Sequence, residues 1–213
     1  MERSSKEWLV PLTGILFAVL LIISIIVQGD VKDASHSAAD VKQWYLDNKD
    51  AAEVSAFIGT VAAGALIFYG GYLRKVFEGA GAMLAILPLI GLTVVAVGGA
   101  IDGFILFATA DRAKDLPPES VRTMQALFDN DFLPLFLGAL VFDWAVGLAV
   151  LRSDVLPKWM GWAAIVFGVL SLAGPLGFIG SLGAALWVIV SSIMLSLRAR
   201  RLVSAAPAAA PRD

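Results

Sequence analysis

The 213-residue chain contains no cysteine and a single histidine, His36, which lies between two serines. Without cysteine it can form no disulfide, no thiolate metal site and no cysteine nucleophile. With one histidine it lacks the residues for a histidine-ligated haem, a multi-histidine zinc site or a Ser-His-Asp triad. The sequence therefore predicts no cofactor and no metal, and it argues against an enzyme without excluding one.

Charged residues are also few, at 16% of the chain, and they form no basic face of the kind that binds nucleic acid. Hydrophobic residues instead make up 59%, and the mean hydropathy is +0.82. Such values are far above those of a soluble globular domain. They predict an integral membrane protein whose main partner is the lipid bilayer, and no nucleic-acid partner.

Apolar stretches that alternate with charged loops predict an all-α bundle of six transmembrane helices. A helix of about 20 apolar residues crosses the hydrocarbon core. The last stretch is long enough for two helices, because Gly174, Pro175 and Gly177 interrupt it. The predicted spans are about 8–28, 51–73, 81–110, 132–151, 157–173 and 177–197, within a single domain that covers residues 1–202. The Ala/Pro-rich segment 203–213 is predicted to be a disordered tail.

The distribution of positive charge predicts the orientation of the bundle. With both termini in the cytoplasm, ten lysines and arginines lie on the cytoplasmic side and six on the outer side. This asymmetry agrees with the positive-inside rule. The richness in alanine, glycine and arginine is compatible with a bacterial source, so we expect a multi-pass protein of the bacterial cytoplasmic (inner) membrane.

Two long outer loops carry signals for helix starts. The segment Ser37 to Asp40 resembles a capping box, and the segment Pro117 to Ser120 is typical of a first helical turn. An apolar face follows each signal, so both loops are predicted to form short amphipathic helices. These helices either cap the bundle or close over a ligand.

Only two ionisable residues lie deep in the predicted spans, Asp102 in the third and Asp143 in the fourth. Counted from the outer ends of their spans, they lie about 12 Å and 16 Å into the membrane. Neighbouring antiparallel helices could then bring the two carboxyls together. An aspartate near the bilayer centre costs about 2.5–3.5 kcal/mol, which predicts that both face the bundle interior. No lysine or arginine in the spans can pair with them, so at least one is predicted to be protonated at neutral pH.

Small residues lie on the same helix faces as the two aspartates. Such residues let helices approach closely in lipid, and they place both carboxyls at a contact between helices. The candidate site is therefore Asp102 with Asp143, and its predicted lining is Gly98, Gly99, Ala139, Trp144 and Gly147.

Three functions are compatible with this aspartate pair. The pair could bind or pass a proton, a cation or a small amphiphile. It could instead lock helix packing in a structural or accessory subunit, whose small-residue faces would support a homo-oligomer or a membrane partner. It could also serve as acid and base in a membrane enzyme acting on lipid, although no nucleophile or metal set accompanies it.

The entry to the fifth span carries a family resemblance. Leu156, Pro157, Lys158, Trp159 and Gly161 form a Leu-Pro-basic-aromatic-x-Gly pattern behind a short basic loop. With the order of elements, this pattern resembles small bacterial membrane proteins of the DUF4386 family. The resemblance implies a six-span bundle, and it brings no activity, cofactor or site residues to this chain.

Overall fold

The computed structural model describes residues 7–172 and 176–204, and these residues form helices and turns without any strand. The helices are α1 Thr13–Gln28, α2 Ala38–Asp47, α3 Lys49–Val76, α4 Ala82–Arg112, α5 Pro118–Asn130, α6 Leu133–Arg152, α7 Lys158–Leu170 and α8 Gly177–Ser204. Short 3-10 segments at Glu7–Leu12 and Glu78–Ala80 precede α1 and α4. The prediction of an all-helical bundle is confirmed.

Within residues 7–172 and 176–204, five helical segments are long and apolar enough to cross a membrane. They are Trp8–Gln28, Lys49–Val76, Ala82–Arg112, Pro118–Arg152 and Gly177–Arg201. The remaining apolar helix, α7, has 13 residues and reaches about 20 Å, which is shorter than the hydrocarbon core. Length and composition therefore support an integral membrane protein, and the count of spans depends on how α7 is placed.

The long helices run antiparallel between two chemically different ends of the bundle. At one end, called the cap end, α2 and α5 pack on the bundle. Lys49 at the start of α3 forms an ion pair there with Asp111 at the end of α4, and its Nζ lies 3.3 Å from Oδ1. At the other end, called the basic end, Ser196 of α8 donates a hydrogen bond to the carbonyl of Trp8. Arg198 donates to the carbonyl of Asp154 over 3.0 Å, so the end of α8 lies beside the loop that leads into α7.

Both long loops at the cap end contain a helix. The first, α2, begins behind Ser37, whose hydroxyl accepts a hydrogen bond from the backbone N–H of Asp40. Tyr45 of α2 donates to the side-chain oxygen of Gln125 in α5 over 2.6 Å. Burial raises the pKa of Tyr45 above its usual range, so the hydroxyl remains a donor. The position of α2 and α5 at a membrane interface stays a prediction.

Glycines bring the backbones of neighbouring helices into contact. A Cβ on Gly91 of α4 would lie 2.6 Å from the backbone nitrogen of Phe142 and 2.9 Å from the carbonyl oxygen of Gly138, both in α6. A Cβ on Gly147 of α6 would lie 2.9 Å from the carbonyl oxygen of Gly161 in α7. Such close approach is the usual means of association between helices in lipid. It joins α4, α6 and α7 into one row.

Large apolar side chains cover the outside of the bundle. Phe57, Phe68 and Phe104 are each about 70% exposed although they lie in the middle of apolar helices. A soluble protein rarely exposes such a surface on every side. These faces therefore indicate contact with lipid.

Two parts of the sequence prediction concern residues that lie wholly or partly outside the described part of the chain. The first two residues of the predicted tail, 203 and 204, belong to α8, and residues 205–213 lie outside the described part. Gly174 and Pro175 of the predicted helix break also lie outside it, between the end of α7 and the start of α8.

Candidate functional site

A partly open cavity of about 370 Å³ lies between α1, α3, α4, α6 and α8, and Phe128 of α5 also contacts it. Its exposed rim includes Ile25, Phe178 and Leu182. Most of its lining is apolar. Toward the basic end, its walls are the side chains of Phe17, Leu66, Leu92, Phe142 and Val188. This part of the cavity can accept a hydrocarbon group and offers no polar partner.

Polar side chains line the opposite part of the cavity. α1 and α4 reach the cap end with their last turns, whereas α3 and α8 start there, so residues far apart in sequence meet at this height. The polar lining residues are Ser24, Gln28, Ser55, Asp102 and Ser181. The Ser24 hydroxyl donates to the carbonyl of Ser55 over 2.9 Å and is therefore satisfied. The cavity is thus amphipathic along its length.

Asp102 is the only ionisable residue among the described residues of the lining. One of its carboxyl oxygens is buried without a hydrogen-bond partner among the described residues. The carboxyl of Asp131 lies within hydrogen-bonding range of the Asp102 carboxyl, and one oxygen of Asp131 is likewise buried without a hydrogen-bond donor among the described residues. A buried polar atom without a partner is costly, and such an atom in a cavity wall indicates a place for a ligand or a water molecule.

Asp143 lies in a different environment. It is fully buried on α6, and neither carboxyl oxygen has a hydrogen-bond partner in the described part of the chain. Its Cβ lies 3.2 Å from where a Cβ of Gly168 would be, so the residue faces α7. It does not line the cavity. Asp143 therefore lies at the packing contact between α6 and α7 rather than in the cavity wall.

The structure does not bring the two aspartates together. Gly98 of α4 packs against Pro134 of α6, where a Cβ on the glycine would lie 2.9 Å from the proline Cβ. From this crossing, Asp102 lies one turn toward the cap end, while Asp143 lies nine residues toward the basic end. At 1.5 Å per residue, these offsets separate the two residues by about 20 Å along the bundle.

The carboxyls of Asp102 and Asp143 do not meet, because α4 and α6 do not end at the same height at the cap end. Depths counted from the outer ends of the spans assume that α4 and α6 reach the surface together. Instead α4 continues past the start of α6, and its last turns pack on α2, α3 and α5. Ala110, for example, is buried in the cluster that contains Tyr45 and Val121.

The predicted lining residues divide between the cavity and the helix contacts. Gly99 and Ala139 line the cavity. Gly98 packs against α6, and Gly147 packs against α7. Trp144 is 45% exposed, and its ring lies against Gly168 at the α6–α7 contact.

Sequence reasoning missed Asp131 and Ser181 as members of the site. Asp131 precedes the fourth predicted span, so hydropathy places it in the outer loop, although its carboxyl lies beside that of Asp102. Ser181 gave no signal because serines are common in membrane helices, yet its buried hydroxyl faces the cavity without a partner. No sequence signal identifies Asp131, because the register of α4 against α6 is set by the contact of Gly91 with Gly138, which only the structure shows.

The described residues contain no group of three or more histidine, aspartate or glutamate side chains placed to hold a metal ion. Comparisons of the chain with models of known protein families, with curated proteins and with solved structures find no match. The candidate site must therefore be interpreted from its own geometry.

Proposed function

We propose that this chain is a multi-span protein of the bacterial cytoplasmic membrane that binds a small amphiphile inside its helix bundle. The observation that carries the proposal is the cavity, with apolar walls toward the basic end and Asp102 among the polar residues toward the cap end. Its 370 Å³ falls in the range of about 300–1,000 Å³ that is usual for ligand pockets. Kinship with the DUF4386 family is part of this proposal.

Size limits the ligand class. A water molecule takes roughly 30 Å³ in the liquid, so the cavity corresponds to about a dozen waters. A ligand of roughly ten to fifteen heavy atoms would fill it, such as a short alkyl chain with a small polar head. Mostly apolar walls disfavour a strongly hydrated sugar or nucleotide, because its polar groups would lose hydrogen bonds there.

Filling the cavity through Gly99 should abolish ligand binding. A Cβ on Gly99 meets no atom within 4 Å, so Gly99→Leu places its side chain in the cavity without displacing a helix. We expect photolabelling by octanol carrying a terminal diazirine, measured in lipid nanodiscs by mass spectrometry, to fall at least about tenfold at cavity residues. That loss corresponds to roughly 1.4 kcal/mol, within the usual cost of overpacking.

The matched control is Gly64→Leu. Gly64 also has no atom within 4 Å of a built Cβ, and it does not line the cavity. Its labelling should equal that of the wild type. Equal labelling of the Gly99→Leu and wild-type proteins would refute the proposal, as would the absence of adducts in α3, α4 and α6 of the wild type.

The proposal includes six spans with both termini in the cytoplasm. The packing of α7 and α8 supports this topology. Trp187 of α8 donates a hydrogen bond to the carbonyl of Met160 near the start of α7. Gly177 at the start of α8 contacts Phe136 near the start of α6. The start of α8 thus lies toward the cap end, whereas Arg198 returns to the loop before α7. Together α7 and α8 leave the basic end and come back to it.

Cysteine labelling tests this topology cleanly, because the chain has no cysteine of its own. Three single variants are needed. Ser35→Cys should react with an impermeant maleimide from the periplasm, whereas Asp154→Cys, at a fully exposed side chain, and Ala209→Cys should react from the cytoplasm. A crossing by both α7 and α8 puts positions 154 and 209 on the same side. Reaction of these two positions from opposite sides would show that α7 does not cross.

The accessory-subunit hypothesis has weaker support. A locking role for Asp143 requires a hydrogen bond across helices, and its oxygens have none among the described residues. The hypothesis of a membrane enzyme acting on lipid ranks third. It needs a nucleophile bonded to an acid, and no hydrogen bond among the described lining residues of the cavity makes such a pair.

A further inference from the structure

The geometry points to a cationic head group on the ligand, an ammonium that binds at Asp102 with its hydrocarbon chain directed toward the basic end. This inference rests on the proposed function and adds the charge and the orientation of the ligand. Three separate observations carry it: the sign of the charge in the cavity wall, the buried polar atoms without partners and the position of both within the cavity.

The charge in and around the cavity has one sign. Asp102 lines the cavity and Asp131 lies beside it, whereas none of the described lining residues is a lysine, arginine or histidine. An anionic head group would meet two carboxyls without a compensating cation. A bound ammonium would instead favour the ionised form of the Asp102 carboxyl and reduce its repulsion with Asp131. The cavity wall therefore attracts a cationic head group and repels an anionic one.

Partnerless polar atoms occur on two sides of the same space. One carboxyl oxygen of Asp102 and the hydroxyl oxygen of Ser181 are buried without hydrogen bonds, and both residues line the cavity from different helices, α4 and α8. A primary ammonium has three donors and no acceptor, so it suits a wall whose unsatisfied atoms are a carboxyl oxygen and a hydroxyl oxygen. Charge-assisted bonds of this kind are about twice as strong as neutral ones.

The orientation follows from the apolar end of the cavity. Leu66, Leu92 and Phe142 lie toward the basic end, away from Asp102, and they offer only hydrocarbon. A ligand with its ammonium at Asp102 can bury its chain among these side chains. The reverse orientation would place a charge in a dry apolar pocket, where an unpaired ion is very costly.

A series of three probes with the same photoreactive octyl chain tests the inference: octylamine, octanol and octanoate, each with a terminal diazirine. In wild-type nanodiscs at equal probe concentration, the ammonium probe should label cavity residues about tenfold more than the alcohol, and the carboxylate should label them least. Adducts from the chain terminus should lie at Leu66, Leu92 or Phe142. Labelling mainly near Ser24 or Ser181 would overturn the orientation.

Variants at position 102 identify the group responsible. Asp102→Asn should reduce labelling by the ammonium probe to the level of the alcohol, and an unchanged circular dichroism spectrum and unfolding temperature show that the variant is folded. Asp102→Glu should retain the preference for the ammonium. The matched control Asp115→Asn makes the same change in the exposed loop before α5 and should behave as the wild type.

The outcomes separate the two proposals. If octanol labels the cavity but the ammonium probe shows no advantage, or if Asp102→Asn keeps that advantage, the cationic head group is wrong and the cavity remains a binding site. If no probe labels the wild-type cavity above the Gly99→Leu variant, the proposed function itself is wrong.

Discussion

Replacing Gly138 with leucine should lower the free energy of unfolding by about 3 kcal/mol, at the upper end of the usual range for overpacking. A Cβ on Gly138 would lie 2.7 Å from the backbone nitrogen of Val95 and 2.8 Å from the carbonyl oxygen of Gly91. Both atoms belong to the backbone of α4 and cannot rotate away, so the two helices must separate. Thermal unfolding in detergent micelles, followed by circular dichroism, measures the loss.

Gly64→Leu is again the control, since it adds the same side chain where a Cβ meets no atom within 4 Å. Leucine is a better helix former than glycine by roughly 1 kcal/mol, so this variant should be as stable as the wild type or slightly more stable. Gly138→Ala should fall between the wild type and Gly138→Leu. A Gly138→Leu protein as stable as the control would mean that α4 and α6 do not touch at this crossing.

Replacing Asp143 with valine should raise the free energy of unfolding by about 2 kcal/mol. A buried polar group without a partner costs roughly 1–3 kcal/mol, and both oxygens of Asp143 are in this state. Valine removes that cost and also eases insertion of α6 into the membrane, where an aspartate is unfavourable. The same unfolding assay, together with the yield of folded protein in membranes, measures the gain.

Asp143→Asn separates polarity from size. Asparagine keeps the shape and the unsatisfied polar atoms, so no gain in stability is expected from it. If the valine variant is instead less stable than the wild type while asparagine is neutral, a hydrogen bond from Asp143 holds the helices together. That result would favour the accessory-subunit hypothesis, in which Asp143 locks the helices, over a packing contact without a hydrogen bond.

The fold was largely predictable because lipid imposes a simple pattern. Long apolar runs bounded by charge locate α1, α3, α4, α6 and α8 to within a few residues, apart from the end of α8. The helix starts at Ser37 and Pro117 were also recognisable, since capping is a local property of the sequence. The placement of α7 depends on a short helix, and hydropathy alone does not decide whether 13 residues cross.

The site was predictable in its residue types but not in its arrangement. Asp102 and Asp143 stand out in the sequence because carboxyls are rare in apolar spans. Their relative positions along the bundle, however, depend on the register of α4 against α6. That register is set by the backbone contact of Gly91 with Gly138, which resembles any other pair of glycines in the sequence. Hence Asp131, rather than Asp143, became the neighbour of Asp102.

The contact between Gly91 and Gly138 has a consequence for how the cavity could change its volume. Because backbone meets backbone there, α4 and α6 cannot come closer, and moving them apart would lose this close packing. On the opposite wall, α1 meets α8 through the Ser192 side chain at Gly14, and it meets α3 through the hydroxyl of Ser24. Side chains can change rotamer, so expansion of the cavity to admit a bulkier guest should come from displacement of α1, with α4 and α6 as the stationary wall.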